Sequence, residues 1–319
     1  MISIVICSTN PTYYAQVTAA IAATIGVPYE LIKIDNTTNK YSIFEAYNIG
    51  FEKAQFGIVC YTHEDILFHT QDWGKNLVAH FNDKSIGLVG VIGATMFPKS
   101  PSAWWSNTIA NDHLVNNIQH WTNGVSNQPY HTIISQTEER IITRDYNNPT
   151  GENVVSASVV DGLFFAVRRL LYDLGLVKFD NTLFKGFHCY DTDISLQVNQ
   201  SQRVVVVFDI LVEHLQQGTI NKNWYINALM VADKWRNHLP FTRLNIDPKM
   251  YSHYESEVLK TFIYWMQGSG YYSRKEVNKV VNEYLPKIPT TTKSWRNKKE
   301  LFFILHLGPT LARLHRLLP

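Results

Sequence analysis

Gly57-Ile58-Val59-Cys60-Tyr61-Thr62-His63-Glu64-Asp65-Ile66-Leu67-Phe68 runs an apolar strand pattern straight into three ionisable side chains, His63, Glu64 and Asp65. Charged groups at the end of a buried strand cost desolvation energy unless they face a ligand, a metal or water. In open α/β sheets, ligands bind in the crevice outside the carboxyl ends of the strands. The block therefore predicts a strand end that lines a site. Asp65 lies upstream of a second acidic cluster at Asp191 and Asp193, and together they suggest a metal–diphosphate site facing a general base.

Outward from this block the chain alternates strand and helix signals. Ile2 to Cys7 is an apolar run closed by Ser8-Thr9-Asn10-Pro11, and a helix follows through Ile25. It stops at Gly26 with Pro28 beyond, the usual C-terminal punctuation. Leu31 to Ile34 is a second strand, ending on Asp35-Asn36-Thr37-Thr38-Asn39. Ser42 and Glu45 are spaced as a capping box for a helix reaching Ala54. Asp72 is placed to cap another helix, and Ile86 to Ile92 reads as a fourth strand. This order predicts an α/β fold with a mostly parallel, Rossmann-like sheet and helices on both faces.

From Met96 to Asn153 the periodicity dissolves into Asn, Thr and Ser with scattered Trp, which signals either a functional lid or elements hidden from the pattern. Val159 to Arg168 restores a strand whose end, Arg168-Arg169, reads as solvated. An acidic helix start at Tyr190-Asp191-Thr192-Asp193 and a strand from Arg203 to Phe208 follow. Beyond Pro240 the signals are helical only. Ser252 with Glu255 and Ser273 with Glu276 are spaced as capping boxes, and Val258, Phe262, Trp265 and Met266 keep helical spacing. A boundary near 238–250 thus separates an α/β domain, 1–240, from a helical C-terminal region, 241–319.

Charged residues make up 18% of the chain and aromatics 13%. That balance suits a protein that handles flat or polyhydroxylated ligands, or one that rests on a surface. A formal net charge of +2 argues against nucleic acid as a partner, because phosphate-tracking surfaces need clustered positive charge. Cys7, Cys60 and Cys189 share no metal-type spacing and are expected to be reduced thiols. The N-terminal apolar run is too short for a signal peptide. No stretch approaches the ~20 apolar residues of a membrane span. The expected location is cytoplasmic, or peripheral on the inner face of a membrane.

In this order the features resemble the nucleotide-diphospho-sugar glycosyltransferases of the GT-A fold. The nearest resemblance is to the family-2-like bacterial branch, whose metal motif reads His-Gln-Asp rather than Asp-x-Asp. It is carried by Ser3 to Asn10, Ile34-Asp35-Asn36, Asn48-x-Gly50-x-x-x-Ala54, His63-Glu64-Asp65 and Gly87 to Gly93. It continues through Asp161-Gly162 with Arg168-Arg169, Gly186 to Asp193, His214, Gly218 and Lys234-Trp235, spanning roughly residues 1–237. Two departures stand out: Asn36-Thr37-Thr38 replaces a common Asp-Gly-Ser, and Tyr190 stands where a Glu usually precedes the base.

The resemblance implies an inverting, metal-dependent transfer of a sugar from a nucleotide-diphosphate donor, UDP-linked by first expectation. The acceptor would be a hydroxyl of a glycan, lipid-linked or protein-linked. Asp65 and His214 would hold Mn²⁺ or Mg²⁺, a hard oxygen and an imidazole beside phosphate. Thr9 and Asp35 would meet the nucleotide base and ribose. His63 is expected on ribose or phosphate rather than on the metal, with Glu64, Asp161 and Gly162 completing the donor side. Asp191 would be the base, and Asp193 a capping, orienting or acceptor-side residue. His188, Trp104, Trp105 and Trp121 would meet the acceptor. A glycoside hydrolase needs carboxylates that straddle the bond, which Asp191 and Asp193 on one helix do not. A non-catalytic nucleotide-sugar or carbohydrate-binding protein remains the alternative.

The tail carries Lys293, Arg296, Lys298 and Lys299 before Leu301-Phe302-Phe303-Ile304-Leu305, with Arg313 and Arg316 beyond. Basic groups beside a short apolar run suit an interfacial helix on anionic lipid. The same run could instead pack on the transferase domain or on a second subunit as a homo-oligomer contact.

Overall fold

The apolar N-terminal run becomes strand β1 (Ile2–Ser8), buried along nearly its whole length, as a strand covered on both faces must be. The first unit continues with α1 (Pro11–Thr24), β2 (Tyr29–Asp35), α2 (Ile43–Lys53), β3 (Ile58–Thr62), β4 (Ile66–Phe68), α3 (Trp73–His80), β5 (Ile86–Gly90) and β6 (Ile92–Ala94). After β7 (Met96–Phe97) come β8 (Leu114–Thr122), β9 (His131–Gln136), β10 (Ile141–Asn147), β11 (Val154–Ala157), β12 (Val159–Val160) and β13 (Phe164–Arg168). Helices α4 (Arg169–Asp173) and α5 (Tyr190–Val198), strands β14 (Arg203–Val207) and β15 (Val212–His214), and helix α6 (Lys222–Lys234) follow. This computed structural model describes residues 1–106, 113–122, 130–137, 140–216, 218–243, 248–288, 299 and 301. The chain packs as two compact units, Met1–Thr95 with His113–Asn227, and Met96–Asp112 with Ala228–Pro319.

In the first unit a seven-stranded sheet has the order β11-β14-β5-β13-β3-β1-β2. Strand β1 runs parallel to β2 and β3, and β14 parallel to β5. Strand β13 enters antiparallel between β3 and β5, so the carboxyl end of β3 meets the amino end of β13. That crossing brings His63 to Leu163, whose carbonyl accepts the His63 amide at 2.9 Å. Ile4, Ile6, Trp73, Phe164 and Val205 belong to the core cluster packed on this sheet. Asn10 caps α1, and the Ser42–Glu45 capping box opens α2 as the spacing predicts.

Among the described residues the irregular stretch holds four strands, short β7 and three longer ones. β8, β10 and β9 lie antiparallel in a second sheet of order β12-β6-β8-β10-β9, with β15 pairing β8 and β4. β9 is exposed along most of its length, so no apolar alternation announces it. Two local expectations change. Asp72 starts α3 in a left-handed conformation (φ 61°) and makes no side-chain cap; it pairs with Lys75 at 3.0 Å. Arg168 is half-buried rather than free in solvent, its guanidinium donating to the carbonyls of Phe81, Asp83 and Ile86.

In the second unit, α7 (Pro248–Gly268) and α8 (Arg274–Tyr284) pack together, burying Val258, Phe262, Met266, Val277 and Val281. Short β16 (Phe241–Thr242) pairs with β7. Ser273 and Glu276 form their capping box. Ser252 and Glu255 do not: both lie inside α7, and Glu255 instead accepts from the amides of Lys99 and Ser100 at 2.5 and 2.9 Å. Apart from Lys299 and Leu301, the basic tail lies outside the described residues. Among those residues no helix is long and apolar enough to cross a membrane.

Candidate active site

Strand register assembles the first cluster. β15 pairs antiparallel with β4, setting His214 opposite Ile66, and the Leu215 amide donates to the Asp65 carbonyl at 2.9 Å. Asp65 therefore arrives beside His214, with Nε2 to Oδ2 at 3.4 Å. His63 completes the group, its Nδ1 3.8 Å from Asp65 Oδ1. One ligand atom from each of the three lies within 4.8 Å of the others. Burial alone would raise the Asp65 pKa, but the His214 hydrogen bond and both imidazoles hold it below the ordinary carboxylate value. Burial likewise opposes protonation of His214, and Asp65 outweighs it and raises that pKa.

The tautomer of His63 follows from its neighbour. Tyr190 Oη lies 3.1 Å from the Gly162 carbonyl and 2.6 Å from His63 Nε2. When Tyr190 gives its one proton to the carbonyl, His63 carries its hydrogen on Nε2 and keeps the Nδ1 lone pair. Burial lowers the His63 pKa, and the nearby His214 adds to the effect; both favour the neutral, ligating ring. His63, expected on ribose or phosphate, lies with Asp65 and His214 in a group that could also hold a metal. A mixed carboxylate–imidazole set of this kind fits a divalent ion such as Mn²⁺ or Mg²⁺.

The same tyrosine ties this cluster to Asp191. A Cβ on Gly162 would lie 2.1 Å from Tyr190 Oη, so only glycine lets the ring close. Gly162 also donates its amide to Asp191 Oδ2 at 2.9 Å, and Asp191 Oδ1 accepts the Thr192 amide at 2.7 Å. Just before this helix Cys189 takes a left-handed φ of 65°, a conformation that gathers at functional turns. Desolvation, then the charge of Asp161, push the Asp191 carboxyl up to about 7. Asp161 itself accepts from the Leu163 amide at 2.9 Å. Replacing Gly162 by Ala is expected to displace Tyr190, costing about 1–3 kcal/mol of stability as overpacking does. Thermal melting together with a metal-binding titration of the Gly162→Ala variant checks both consequences.

Other expected residues have different duties. Glu64 is buried and its Oε1 accepts from the Thr9 amide and hydroxyl and the Asn10 amide at 2.9, 2.8 and 2.9 Å. It therefore pins the β1–α1 turn to the β3–β4 loop, while its buried Oε2 has no partner. Asp35 is exposed and accepts from the Thr37 amide and hydroxyl. Asp193 is buried (1% exposed) and receives the Gln197 side-chain amide at 2.7 Å. Trp121 gives its indole N–H to Glu213, and the Arg140 guanidinium covers its ring at 4.0 Å. Burial lowers the His188 pKa, and its Nε2 has no partner. Trp104 and Trp105 belong to the second unit; Trp104 is buried there, so its faces are closed to a sugar, and Trp105 packs on Trp265 with ring centroids 5.3 Å apart.

Solved structures share this architecture. S. aureus TarS 1–349 in complex with UDP-GlcNAc aligns with a TM-score of 0.52 at 10% identity, over 97% of this chain and 87% of that one. Longer S. aureus TarS aligns at 0.51 and 11% identity, over 97% of this chain and 52% of that one. GalNAc-T7 with UDP, GalNAc and Mn²⁺ gives 0.46 at 13% identity, over 97% of this chain and 58% of that one. The chain thus spans little more than half of the GalNAc-T7 and longer TarS chains. No curated protein sequence matches it significantly. The fold is the GT-A fold that the resemblance implied. Residues 3–239 match the Glycosyltransferase like family, and with that match running through the strand ends that build the site, the chain belongs to this family.

Proposed function

We propose that the enzyme moves a sugar from a UDP-sugar to a hydroxyl of a glycan or glycoconjugate by a single inverting displacement. The observation that carries this reading is the Asp191 carboxyl, raised to about 7 and joined through Gly162 and Tyr190 to the His63–Asp65–His214 group. Asp191 remains partly accessible, so it can reach an acceptor hydroxyl. As the acceptor oxygen attacks the anomeric carbon, Asp191 takes its proton and the bond to the diphosphate breaks on the opposite face. Asp65, His214 and His63 would hold a divalent ion, which neutralises charge on a departing diphosphate. Thr9, Glu64 and Asp35 lie at or beside the ends of β1, β3 and β2, on the side this reading gives to the nucleoside. Asp161, beside Asp191, faces the donor sugar. His188 stays a candidate for the acceptor.

S. aureus TarS, solved with UDP-GlcNAc, makes UDP-sugars the first donors to try. The test is a panel of UDP-, GDP-, CMP- and dTDP-sugars, assayed for slow hydrolysis and thermal stabilisation with Mn²⁺ and with EDTA. Metal-dependent hydrolysis confined to UDP-sugars supports the reading. Binding without turnover of any donor, at any acceptor concentration, would show a carbohydrate-binding protein that keeps the fold.

A further inference from the structure

We infer that His120, His131 and Asp145 form a second metal site, which takes one divalent transition ion of the Zn²⁺ class. One ligand atom from each residue lies within 4.8 Å of the others, and none of the three belongs to the Asp65 group. The register explains the meeting. Asp145 on β10 pairs with His131 on β9 and with Ile118 on β8. His120 lies two residues beyond Ile118, and side chains two apart share one face of a strand. All three therefore project from one face of the second sheet, although 25 residues separate the first from the last.

Individual atoms favour a ligand over a plain ion pair. His131 Nδ1 lies 2.6 Å from Asp145 Oδ1, with the two side chains only 5% and 12% exposed. A carboxylate can only accept, so Nδ1–H is the donor and the lone pair sits on Nε2. That Nε2 is buried and has no partner, an arrangement whose cost needs an explanation. A carboxylate that fixes the tautomer while the far nitrogen faces outward is the usual support of a metal-bound histidine. The His120 ring stands 5.8 Å from that of His131. His131 Nε2 and His120 would therefore ligate the ion, with Asp145 holding His131 in place and the remaining positions open. A hydrogen-bonded His131–Asp145 pair alone accounts for neither the third residue nor the orphan nitrogen.

The experiment uses the full chain carrying Asp65→Ala, which disables the first group, after removal of metal with EDTA. Titration with Zn²⁺ against a chromophoric chelator should find one equivalent bound. Adding His131→Ala, His120→Gln or Asp145→Asn should weaken it by about 10–100-fold, the usual effect of losing a ligand or its support. Co²⁺ gives a second readout: the visible absorption of a four-coordinate Co²⁺ complex should develop in Asp65→Ala and be lost with His120→Gln. His120→Gln alters a partly accessible position and Asp145→Asn is isosteric, so metal-free melting curves like the parent's identify folded variants. Failure of the Asp65→Ala protein to bind Zn²⁺, or Zn²⁺ binding unchanged in the folded variants, overturns the site. Neither outcome bears on sugar transfer, which is assayed separately.

Discussion

Asp191→Asn is expected to lower kcat by ~10²–10⁴ while leaving donor affinity nearly intact, the usual worth of a positioned acid–base group. The substitution keeps the shape that receives the Gly162 amide and removes the proton acceptor. Wild-type kcat/KM should rise with pH through an apparent pKa of about 7. The acid limb has this sign because the base must be unprotonated. Stability runs the other way. A carboxyl raised from 3.8 to about 7 binds its proton more tightly when folded, so its contribution is full below pH 3.8 and lost as pH rises through 7. Asp191→Asn should therefore melt no lower than wild type at pH 8 while turning over far more slowly. Near-normal transfer by this variant would remove Asp191 from the role and leave Asp161 as the carboxylate to test.

Asp65→Ala should abolish Mn²⁺-dependent UDP binding, measured by calorimetry with and without metal. Asp65 is the only carboxylate in its cluster, and without it two imidazoles remain with no negative charge to balance a dication. His63→Ala should weaken Mn²⁺ by about 10–100-fold without abolishing UDP binding. Tyr190→Phe probes the same assignment indirectly, since it frees His63 Nε2 to take either tautomer while the Nδ1 position stays in place. Metal affinity unchanged in His63→Ala would return that residue to the nucleotide side.

Much of the architecture is legible because it rests on local chemistry. The Ser42–Glu45 box, the Asn10 cap with Pro11, and the apolar run of β1 each use contacts within a few residues. The same spacing misleads at Ser252 and Glu255, where the partners of Glu255 are amides at Lys99 and Ser100, far off in sequence. β8 and β9 escape notice for a different reason: Asn116, Asn117, Gln119 and His120 interrupt β8, and β9 exposes Ile133 and Ile134, so the two-residue alternation is lost. In the site, Asp65, His214 and Asp191 are readable from the order of motifs. The duty of Glu64 is not, because its three donors lie in the Thr9–Asn10 turn on another strand end. Nor is the tautomer of His63, which depends on where a tyrosine proton 127 residues away is spent.

Strand β15 pairs parallel with β8 so that His214 stands level with His120, and β8 in turn sets Thr143 of β10 opposite His120. Shifting a strand by one residue turns every side chain to the opposite face. A single-residue insertion or deletion inside β8, β10 or β15 would carry a histidine or Asp145 out of its cluster. In this lineage, length changes should therefore accumulate in the connections, while gaps within these three strands should come as two residues or not at all.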